Sequence, residues 1–169
     1  MSTEHISNPK EGIAKIKELA EGIDFCFFSS DLKSEFIDST PMSVQEVDKR
    51  GYIWFLASKD STKCNNIVKS STVQLYFAAP KDFKFLTVYG NADLVHDQNR
   101  VDRYWNKVTE GWFEKGREDP NIILIRVKPV KSHYWDTKHH KLASYALTLL
   151  SAVSGTNNDQ GIHGDIEIK

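Results

Sequence analysis

The residues with the clearest capacity for chemistry lie in the polar segment Ser58–Lys63. The segment follows an aromatic-rich run, Tyr52–Ala57, which predicts a strand, and leads into Ser61–Val68, which predicts a short helix capped by Asp60 or Ser61. The free N–H groups of a helix start favour an anion, the hydroxyls donate hydrogen bonds, and a lysine adds positive charge. The pattern indicates a phosphate site without the glycines of a P-loop. An ordinary helix cap with a solvated lysine is the alternative.

Two aromatic clusters, Trp112-Phe113 and Tyr134-Trp135-Asp136, form the next signal. Each lies near a predicted loop or strand end. A flat redox-active ring such as a flavin needs apolar walls with a few backbone donors at its polar edge. Packing in the core or at an interface is the alternative for each cluster taken alone.

Several familiar catalytic patterns are absent from the sequence. There is no GxSxG elbow, HExxH pair or CxxC pair, and no metal site is expected. The adjacent His139 and His140 would diverge on a helix, which favours a solvated surface pair. Cys26 and Cys64 form no disulfide framework, so reduced thiols and a cytoplasmic location are expected.

Length and composition predict one domain over residues 1–169, with residues 1–8 and 155–169 as candidate flexible tails. The formal net charge of -1 gives no positive field for nucleic acid. No apolar run reaches membrane-span length, and no secretory signal is visible at the N-terminus. The four Trp, six Tyr and nine Phe are many for this length. Core packing is one explanation of this excess. The alternative is that some of these aromatics line a site for a flat ring or a homodimer interface.

The elements that would position these residues begin with a helix. Asn8 can cap it, Pro9 suits its first turn, and Gly22 would end it. Phe25–Phe28 predicts a strand, and Glu35–Val47 predicts a second one that Pro41 places at an edge or a bulge.

The rest of the chain continues the pattern of short strands and helices. Gly90, in the middle of a long strand, indicates a bulge or a barrel corner. The further predicted elements are the strands Thr72–Ala78, Phe83–Val95 and Ile122–Val130, a hairpin turn at Asp48–Gly51, helices over Asp97–Val108 and His140–Val153, and an edge strand or frayed end at Gly164–Ile168. This order predicts a mainly β (α+β) fold, a small antiparallel barrel with helices at its rim.

Four segments, in this order and at this spacing, resemble the general stress protein branch of the pyridoxamine 5'-phosphate oxidase-like FMN-binding split barrels. They are Thr40-Pro41-Met42, Tyr52–Lys63, Trp112–Pro120, and Val127-Lys128-Pro129 followed by Tyr134-Trp135-Asp136. The resemblance runs from about residue 10 to the C-terminus. It implies a six-stranded antiparallel split β-barrel and a homodimer with flavin sites at the subunit interface.

The resemblance also implies the cofactor-binding residues. Lys63 and Ser61 match phosphate-binding positions, with Ser58 and Thr62 beside them. Phe55, Leu56 and Ala57 match positions along the flavin ring and ribityl chain, and Thr40, Pro41 and Met42 match positions near the ring edge. Trp112 and Trp135 are further candidates, from either subunit. The implied cofactor is FMN, with FAD as the alternative.

The chain departs from the family pattern at several positions. Thr40 stands in place of a usual arginine, Thr62 in place of a basic residue, and Ala57 in place of a threonine. Two positive charges are therefore missing from the implied flavin site. Phe85 occupies the position of a flavin-contacting glutamine of true pyridoxamine phosphate oxidases, and their C-terminal arginine cluster is absent. Oxidation of pyridoxamine phosphate is therefore not the main hypothesis for this chain.

Three functions remain open at this point. The first is an FMN-dependent oxidoreductase acting on a small-molecule redox partner. The second is a non-catalytic protein that binds or sequesters flavin under stress. The third is a barrel that has lost flavin and serves as an interaction protein.

Overall fold

The structure, a computed structural model, describes residues 2–113, 115–136 and 162–167. The elements in chain order are β1 (Ser2–Ile6), α1 (Pro9–Ile23), β2 (Phe25–Ser30), β3 (Asp38–Ser43), β4 (Glu46–Val47), β5 (Ile53–Ser58), α2 (Thr62–Lys69), β6 (Thr72–Ala79), β7 (Lys84–Val95), α3 (Gln98–Tyr104), α4 (Lys107–Glu110), β8 (Ile122–Asp136) and β9 (Ile162–Glu167). The nine strands of the described residues form one curled sheet, whose main path has the order β1-β9-β8-β7-β6-β2-β3. Outside this path, β5 pairs with β8 and β4 pairs with β5. Short 3₁₀ turns cover Pro80–Asp82 and Gly116–Glu118.

Neighbouring strands of this sheet are antiparallel, apart from the parallel pair β1–β9. The inward-facing side chains form one apolar core, in which Phe28, Phe55 and Leu75 are fully buried. The helix α1 buries Ile16 and Leu19 against this core. The predicted mainly β antiparallel split barrel with peripheral helices is confirmed, although the described residues contain nine strands, not six.

Local sequence signals explain several of these elements. Asn8 caps α1, since its side chain accepts a hydrogen bond from the Lys10 N–H at 3.0 Å. Pro41 lies in β3, which pairs with β2 alone and is an edge strand, as predicted. The register of β7 and β8 shifts between Tyr89 and Gly90, which confirms the predicted bulge. A Cβ on Gly90 would lie 2.5 Å from the Lys128 carbonyl oxygen, so the close approach of the two strands requires glycine.

Other predicted boundaries were wrong. The helix expected over 97–108 is two helices, because Asn106 leaves the helix and caps α4 by accepting from the Val108 and Thr109 N–H groups. The first helix continues past Gly22 to Ile23, and its C-cap is Asp24, whose φ is 71°. The strand expected from residue 35 starts at Asp38, and β8 continues past Val130 to Asp136.

The chain ends differ from the expectation as well. The segment expected to be an edge strand or a frayed end is β9, which lies between β1 and β8, and the strand β1 was not predicted at all. The predicted helix His140–Val153, the pair His139-His140 and the residues 155–161 lie outside the described residues. The single-domain assignment stays a prediction.

A buried ion pair joins α1 to the far end of β8. Lys15 Nζ lies 2.5 Å from Asp136 Oδ2, and the side chains are only 12% and 7% exposed. Burial lowers the pKa of Lys15, but its hydrogen bonds to Asp136 and Glu18 outweigh that effect and raise it overall. The third residue of the Tyr134-Trp135-Asp136 cluster therefore has a structural partner.

Both cysteines are buried and free, and burial raises the pKa of the Cys26 thiol from 9.0 to about 12. We expect neither thiol to react with Ellman's reagent at pH 8 in the native protein, and both to react in denaturant. A raised folded-state pKa contributes stability below pH 9, which is lost between pH 9 and 12. Urea unfolding at pH 10 should show a loss of about 1.4 kcal/mol from this source. The Cys26→Ala variant should not show this loss of stability at pH 10. An equal loss in that variant would show that the Cys26 thiol is not its source.

Candidate functional site

The candidate site begins at a seam between β3 and β5, where the curled sheet approaches closure. The strand β3 contacts β5 without a paired register between them. Along β5, Ile53 and Trp54 pair with β4, whereas the residues from Phe55 to Ser58 pair with β8 alone. The second half of β5 therefore presents one free edge toward β3 within the described residues.

The backbone of Leu56 faces this free edge. The carbonyl oxygen of Trp54 accepts from the Gln45 N–H on the β4 side, at 2.8 Å. Since successive residues of an antiparallel strand direct their amides to opposite sides, the N–H and C=O of Leu56 point to the same side as those of Trp54. This places one backbone donor and one acceptor in the seam.

The side chains of Phe55 and Ala57 point the other way, into the core. Phe55 is fully buried and packs edge-on against Phe28, with ring centroids 5.5 Å apart. Ala57 is 5% exposed. The resemblance implies that the segment Phe55–Ala57 lies along a flavin. The part of this segment that faces the seam is its backbone at Leu56, because the side chains of Phe55 and Ala57 point into the core.

The loop after β5 leads directly into α2, and its helix start has unused donors. Ser61 is the N-cap residue by backbone geometry, but its side chain makes no capping hydrogen bond. Its Oγ is shielded from solvent and lies against the Cys64 thiol, with no other partner among the described residues. The alternative of an ordinary side-chain cap is therefore not realised, and the first N–H groups of α2 lack a side-chain acceptor.

Two further side chains of the segment lie in the first turn of α2. Lys63 is half-buried, and within the described part of the chain its ammonium has no ion pair or hydrogen bond. Thr62 beside it is exposed. A cation in this position opposes the helix dipole, so Lys63 gains nothing from the helix itself.

A turn before β8 holds the loop in place. Asn121 Nδ2 donates to Ser58 Oγ at 2.7 Å, and the Lys59 N–H donates to the Asn121 carbonyl at 2.8 Å. Lys59 Nζ donates to the Pro120 carbonyl at 2.5 Å. Ser58 therefore keeps its hydroxyl hydrogen as a donor, whereas Lys59 is committed to the turn. Asn121 was not identified from the sequence, because its role depends on a contact 63 residues away along the chain.

On β3, the three matched residues alternate between the two faces. Thr40 and Met42 point inward with their pairing partners Phe28 and Cys26, and Pro41 is exposed on the outer face opposite Phe27. Thr40 Oγ1 is shielded from solvent and has no hydrogen-bond partner in the described residues. This hydroxyl is thus a second unused donor at a predicted cofactor position.

The two tryptophans of the predicted site lie far apart in one chain. Trp112 is 78% exposed and lines a pocket beside the Ser58 loop. Trp135 lies opposite Phe85, near the other end of β8 from Ser58, which pairs with Ile122. At about 3.3 Å per residue, the separation along β8 is roughly 40 Å. One flavin cannot contact both tryptophans of the same chain.

The outer face of the sheet carries an aromatic surface. Phe27 lies directly opposite Tyr76, and Tyr76 opposite Thr87. We call the exposed residues of this row and the adjoining rows the aromatic face; its members are Phe25, Phe27, Tyr76, Tyr89 and Trp135, each between 36% and 57% exposed. So much exposed ring surface on one side of a sheet is typical of an interaction surface.

The described part of the chain has neither a membrane-spanning helix nor a cluster of metal ligands. None of its helices combines the length and apolar character needed to cross a bilayer. No three of its His, Cys, Asp and Glu side chains are grouped so that they could hold a metal ion.

Comparison with known proteins identifies the family to which this chain is similar. Residues 11–159 match the family model described as pyridoxamine 5'-phosphate oxidase like. The protein bli-3 of Neurospora crassa is 26% identical over 113 residues, which cover 62% of this chain and 54% of the relative. The match therefore spans about half the length of that curated relative.

Solved structures with the same fold include general stress proteins. The general stress FMN/FAD binding protein of Xanthomonas citri is 26% identical, with a TM-score of 0.65 over 78% of this chain and 92% of that one. A candidate general stress protein 26 of Jannaschia sp. CCS1 is 18% identical, with a TM-score of 0.75 over 91% of this chain and 96% of that one. The general stress protein 26 of Bacillus anthracis is 22% identical, with a TM-score of 0.62 over 74% and 92%.

Proposed function

Because the chain belongs to the pyridoxamine 5'-phosphate oxidase-like family, we propose that it binds FMN across the β3–β5 seam, with the phosphate at the start of α2. The observation that carries this proposal is the set of unused donors at that helix start. Within the described residues, Ser61 Oγ is shielded with no partner other than the Cys64 thiol, and the ammonium of Lys63 has no partner. An anion there would satisfy the hydroxyl, the helix N–H groups and the lysine together.

The residues of the seam fit the remaining parts of the cofactor. The Leu56 N–H and C=O are placed for the polar edge of a flavin ring, which needs both a donor and an acceptor. Thr40 Oγ1 is a further unpaired donor on the facing strand, and Thr62 is an exposed one beside Lys63. Buried Phe55, Ala57 and Met42 form apolar walls beneath. Ser58 accepts a hydrogen bond from Asn121 and keeps its hydroxyl hydrogen available as a donor.

We assign a flavin-dependent oxidoreductase as the activity, with a small-molecule redox partner. When bound, FMN supplies the redox chemistry. The protein's own contribution is to bind the phosphate, orient the ring through backbone groups and exclude water with the apolar walls. Non-catalytic sequestration of flavin is the second candidate, favoured by the fact that the seam side chains Thr40, Met42, Phe55 and Ala57 include no titratable group. Reduction of the bound flavin by a nicotinamide donor, followed by reoxidation by an acceptor, separates the two.

The proposal includes a homodimer with flavin sites at the interface. The aromatic face would be covered by a second copy, and Trp135 would reach the seam of the partner, which its own chain does not allow. A cytoplasmic location stays a prediction.

Binding of FMN and of riboflavin tests the role of the phosphate. Charge-assisted hydrogen bonds contribute about 1.5–3 kcal/mol each, and about 1.4 kcal/mol is a factor of ten. FMN should therefore bind at least about tenfold more tightly than riboflavin, as measured by quenching of flavin fluorescence on titration. Equal affinities would contradict the phosphate site at α2.

A further inference from the structure

A histidine and an aspartate form a hydrogen-bonded pair on the β8 side of the aromatic face. His133 Nδ1 lies 2.7 Å from Asp165 Oδ1, and both side chains are partly exposed. The row of this face that joins Phe27 to Tyr76 continues through Thr87 on β7 to the pair. Directly paired residues of antiparallel strands share one side of the sheet. The pair therefore belongs to the same outer surface as the exposed rings.

The contacts of His133 hold its ring in one orientation. An ionised carboxylate can only accept a hydrogen bond, so Nδ1 carries a hydrogen and, in the neutral ring, the lone pair lies on Nε2. Within the described residues, Nε2 has no hydrogen-bond partner. The ring packs edge-on against Trp135, with centroids 4.4 Å apart, and its centroid lies 5.4 Å from that of His163. An oriented imidazole with one unpaired nitrogen can deliver or accept a proton.

The other charged and titratable groups around His133 come from its own strand and the strands beside it. They are Lys131 on β8, Tyr89 on β7, His163, Asp165 and Glu167 on β9, and His5 on β1, which occupies the register position opposite Asp165. Lys131 lies opposite Glu167, so their charges offset each other. Among these groups, Asp165 is the one that is hydrogen-bonded to the His133 ring. Its carboxylate therefore decides which nitrogen is left for a ligand.

His133 is too far from the seam of its own chain to act there. Leu56 of the seam pairs with Leu124 on β8. At about 3.3 Å per residue, the separation from Leu124 to His133 along β8 is roughly 30 Å. Trp135 follows on the same strand and the same face, and the proposed dimer brings it to the seam of the partner. The dimer therefore brings His133 there as well, to a ring site whose assigned side chains include no titratable group.

We propose that His133 of each subunit is a catalytic acid for the flavin site of the other, that Asp165 is its positioning residue, and that the substrate is a quinone. The inference rests on the proposed function, which supplies the flavin and the dimer. The rings around His133 favour a flat substrate that can stack. A quinone is flat, and its oxygen atoms gain hydrogens when it is reduced, so it needs an acid beside it.

The reduction takes one hydride and one proton for each quinone. The quinone gains the hydride, and with it two electrons, from the reduced cofactor, which is oxidised. It gains the second hydrogen as a proton from His133: the Nε2–H bond breaks as an O–H bond forms, and the product is the hydroquinone. Solvent then returns a proton to Nε2, and the nicotinamide donor reduces the cofactor again.

Two electron acceptors test the role of His133 in the full-length, FMN-loaded protein after reduction by stoichiometric dithionite. Menadione, a quinone, must gain protons, whereas ferricyanide takes up electrons alone. His133→Asn keeps a side-chain N–H for Asp165 but has no group in place of Nε2. Reoxidation of this variant by menadione should be slower by about a hundredfold or more, the usual contribution of a general acid. Its ferricyanide rate and its FMN affinity should stay within about twofold of the parent.

The pH profile and two further variants identify the acid. Imidazole is the side chain that titrates between about pH 5 and 8, so the menadione rate of the parent should fall as pH rises through this range, and His133→Asn should lack this fall. Asp165→Asn should lower the menadione rate at least about tenfold, because the ring is no longer held in one tautomer, and leave the ferricyanide rate unchanged. His96→Asn is the matched control, since His96 is exposed between β7 and α3, and it should behave like the parent.

Binding of menadione to the oxidised protein, which cannot reduce it, gives a readout without turnover. The protonated ring can donate from Nε2 to a quinone oxygen, whereas the neutral ring, with its hydrogen on Nδ1, cannot. Calorimetry should therefore show that the parent binds menadione at least about tenfold more tightly at about pH 5 than at about pH 8. His133→Asn should bind it equally at both pH values.

Failure of this inference differs from failure of the proposed function. Equal menadione rates in the parent and His133→Asn, or a ferricyanide rate that falls as much as the menadione rate, would overturn the role of His133 and leave the flavin site standing. A parent that is reoxidised by ferricyanide but not by menadione would overturn the quinone as substrate. Absence of FMN binding would overturn the proposed function, and this inference with it.

Discussion

Replacing Lys63 with alanine should weaken FMN binding about thirtyfold while leaving riboflavin binding unchanged. One charged hydrogen bond contributes about 2 kcal/mol, which corresponds to roughly thirtyfold in the dissociation constant. The resemblance implies basic residues at the positions of Thr40 and Thr62, and this chain has none there, so Lys63 is the main side-chain charge left for the phosphate. Riboflavin has no phosphate, so its affinity reports on the ring site alone. An unchanged riboflavin affinity would show that the loss of FMN affinity comes from the contact between Lys63 and the phosphate.

The stability of the apo protein should hardly change in this variant. Lys63 has no ion pair within the described residues, and a cation in the first turn of a helix opposes its dipole. A structural reason for the lysine is therefore lacking. FMN affinity of the parent should also fall as salt rises, because the half-buried ammonium is open to screening.

A matched control lies at the other end of the same helix. Lys69 is in the last turn of α2 and is exposed, so Lys69→Ala removes the same charge from the chain at a distance from the proposed phosphate. It should leave FMN affinity within twofold. If Lys63→Ala also stays within twofold, the phosphate is held elsewhere and the assignment of this loop is wrong.

The parts of the fold that follow from local chemistry could be predicted from the sequence. The cap at Asn8, the edge position of Pro41 and the bulge at Gly90 each depend on the conformational limits of one residue and its near neighbours. The parts that depend on distant pairing could not. β1 is stabilised by its pairing with β9, which follows it by more than 150 residues, and neither short segment shows a strong strand pattern.

The same distinction between local chemistry and distant contacts applies to the candidate site. The loop Ser58–Lys63 was identified because a strand, hydroxyls and a helix start occur together in the sequence. The cap position of Ser61 could be predicted, but the lack of a capping hydrogen bond could not, since it depends on the packing around Oγ. Trp112 and Trp135 could be named as candidates from either subunit, but not their distance from one another. Their separation is set by the length and register of β8, which no local pattern reveals.

Introducing charge on the aromatic face should convert the protein from a dimer to a monomer. The parent should have twice the 19.3 kDa chain mass by light scattering at low micromolar concentration. In Phe27→Glu/Tyr76→Glu, two carboxylates per chain replace the rings at a directly paired position of β2 and β6. Burying an unpaired charge costs several kcal/mol, so the four charges of a dimer should weaken association by a thousandfold or more.

The monomer itself should tolerate these changes. Phe27 and Tyr76 are 57% and 48% exposed in the single chain, and strand propensity alone spans about 1 kcal/mol. Circular dichroism and urea unfolding should therefore report a folded barrel. Phe36→Glu is the matched control, because Phe36 is 84% exposed and lies before β3, outside the aromatic face; this variant should remain a dimer.

Flavin binding by the charged variant then decides where the site is completed. If Trp135 of each subunit contributes to the seam of the other, the folded monomer should lose FMN affinity by at least about tenfold, the loss expected from one stacked aromatic ring. Trp135→Ala in the parent should reproduce that loss without dissociating the dimer, because the other rings of the face remain. A charged variant that is still a dimer would show that the aromatic face is not the interface. A monomer that keeps the parent's FMN affinity would show that one chain holds a complete site, and Trp135 would then have no part in it.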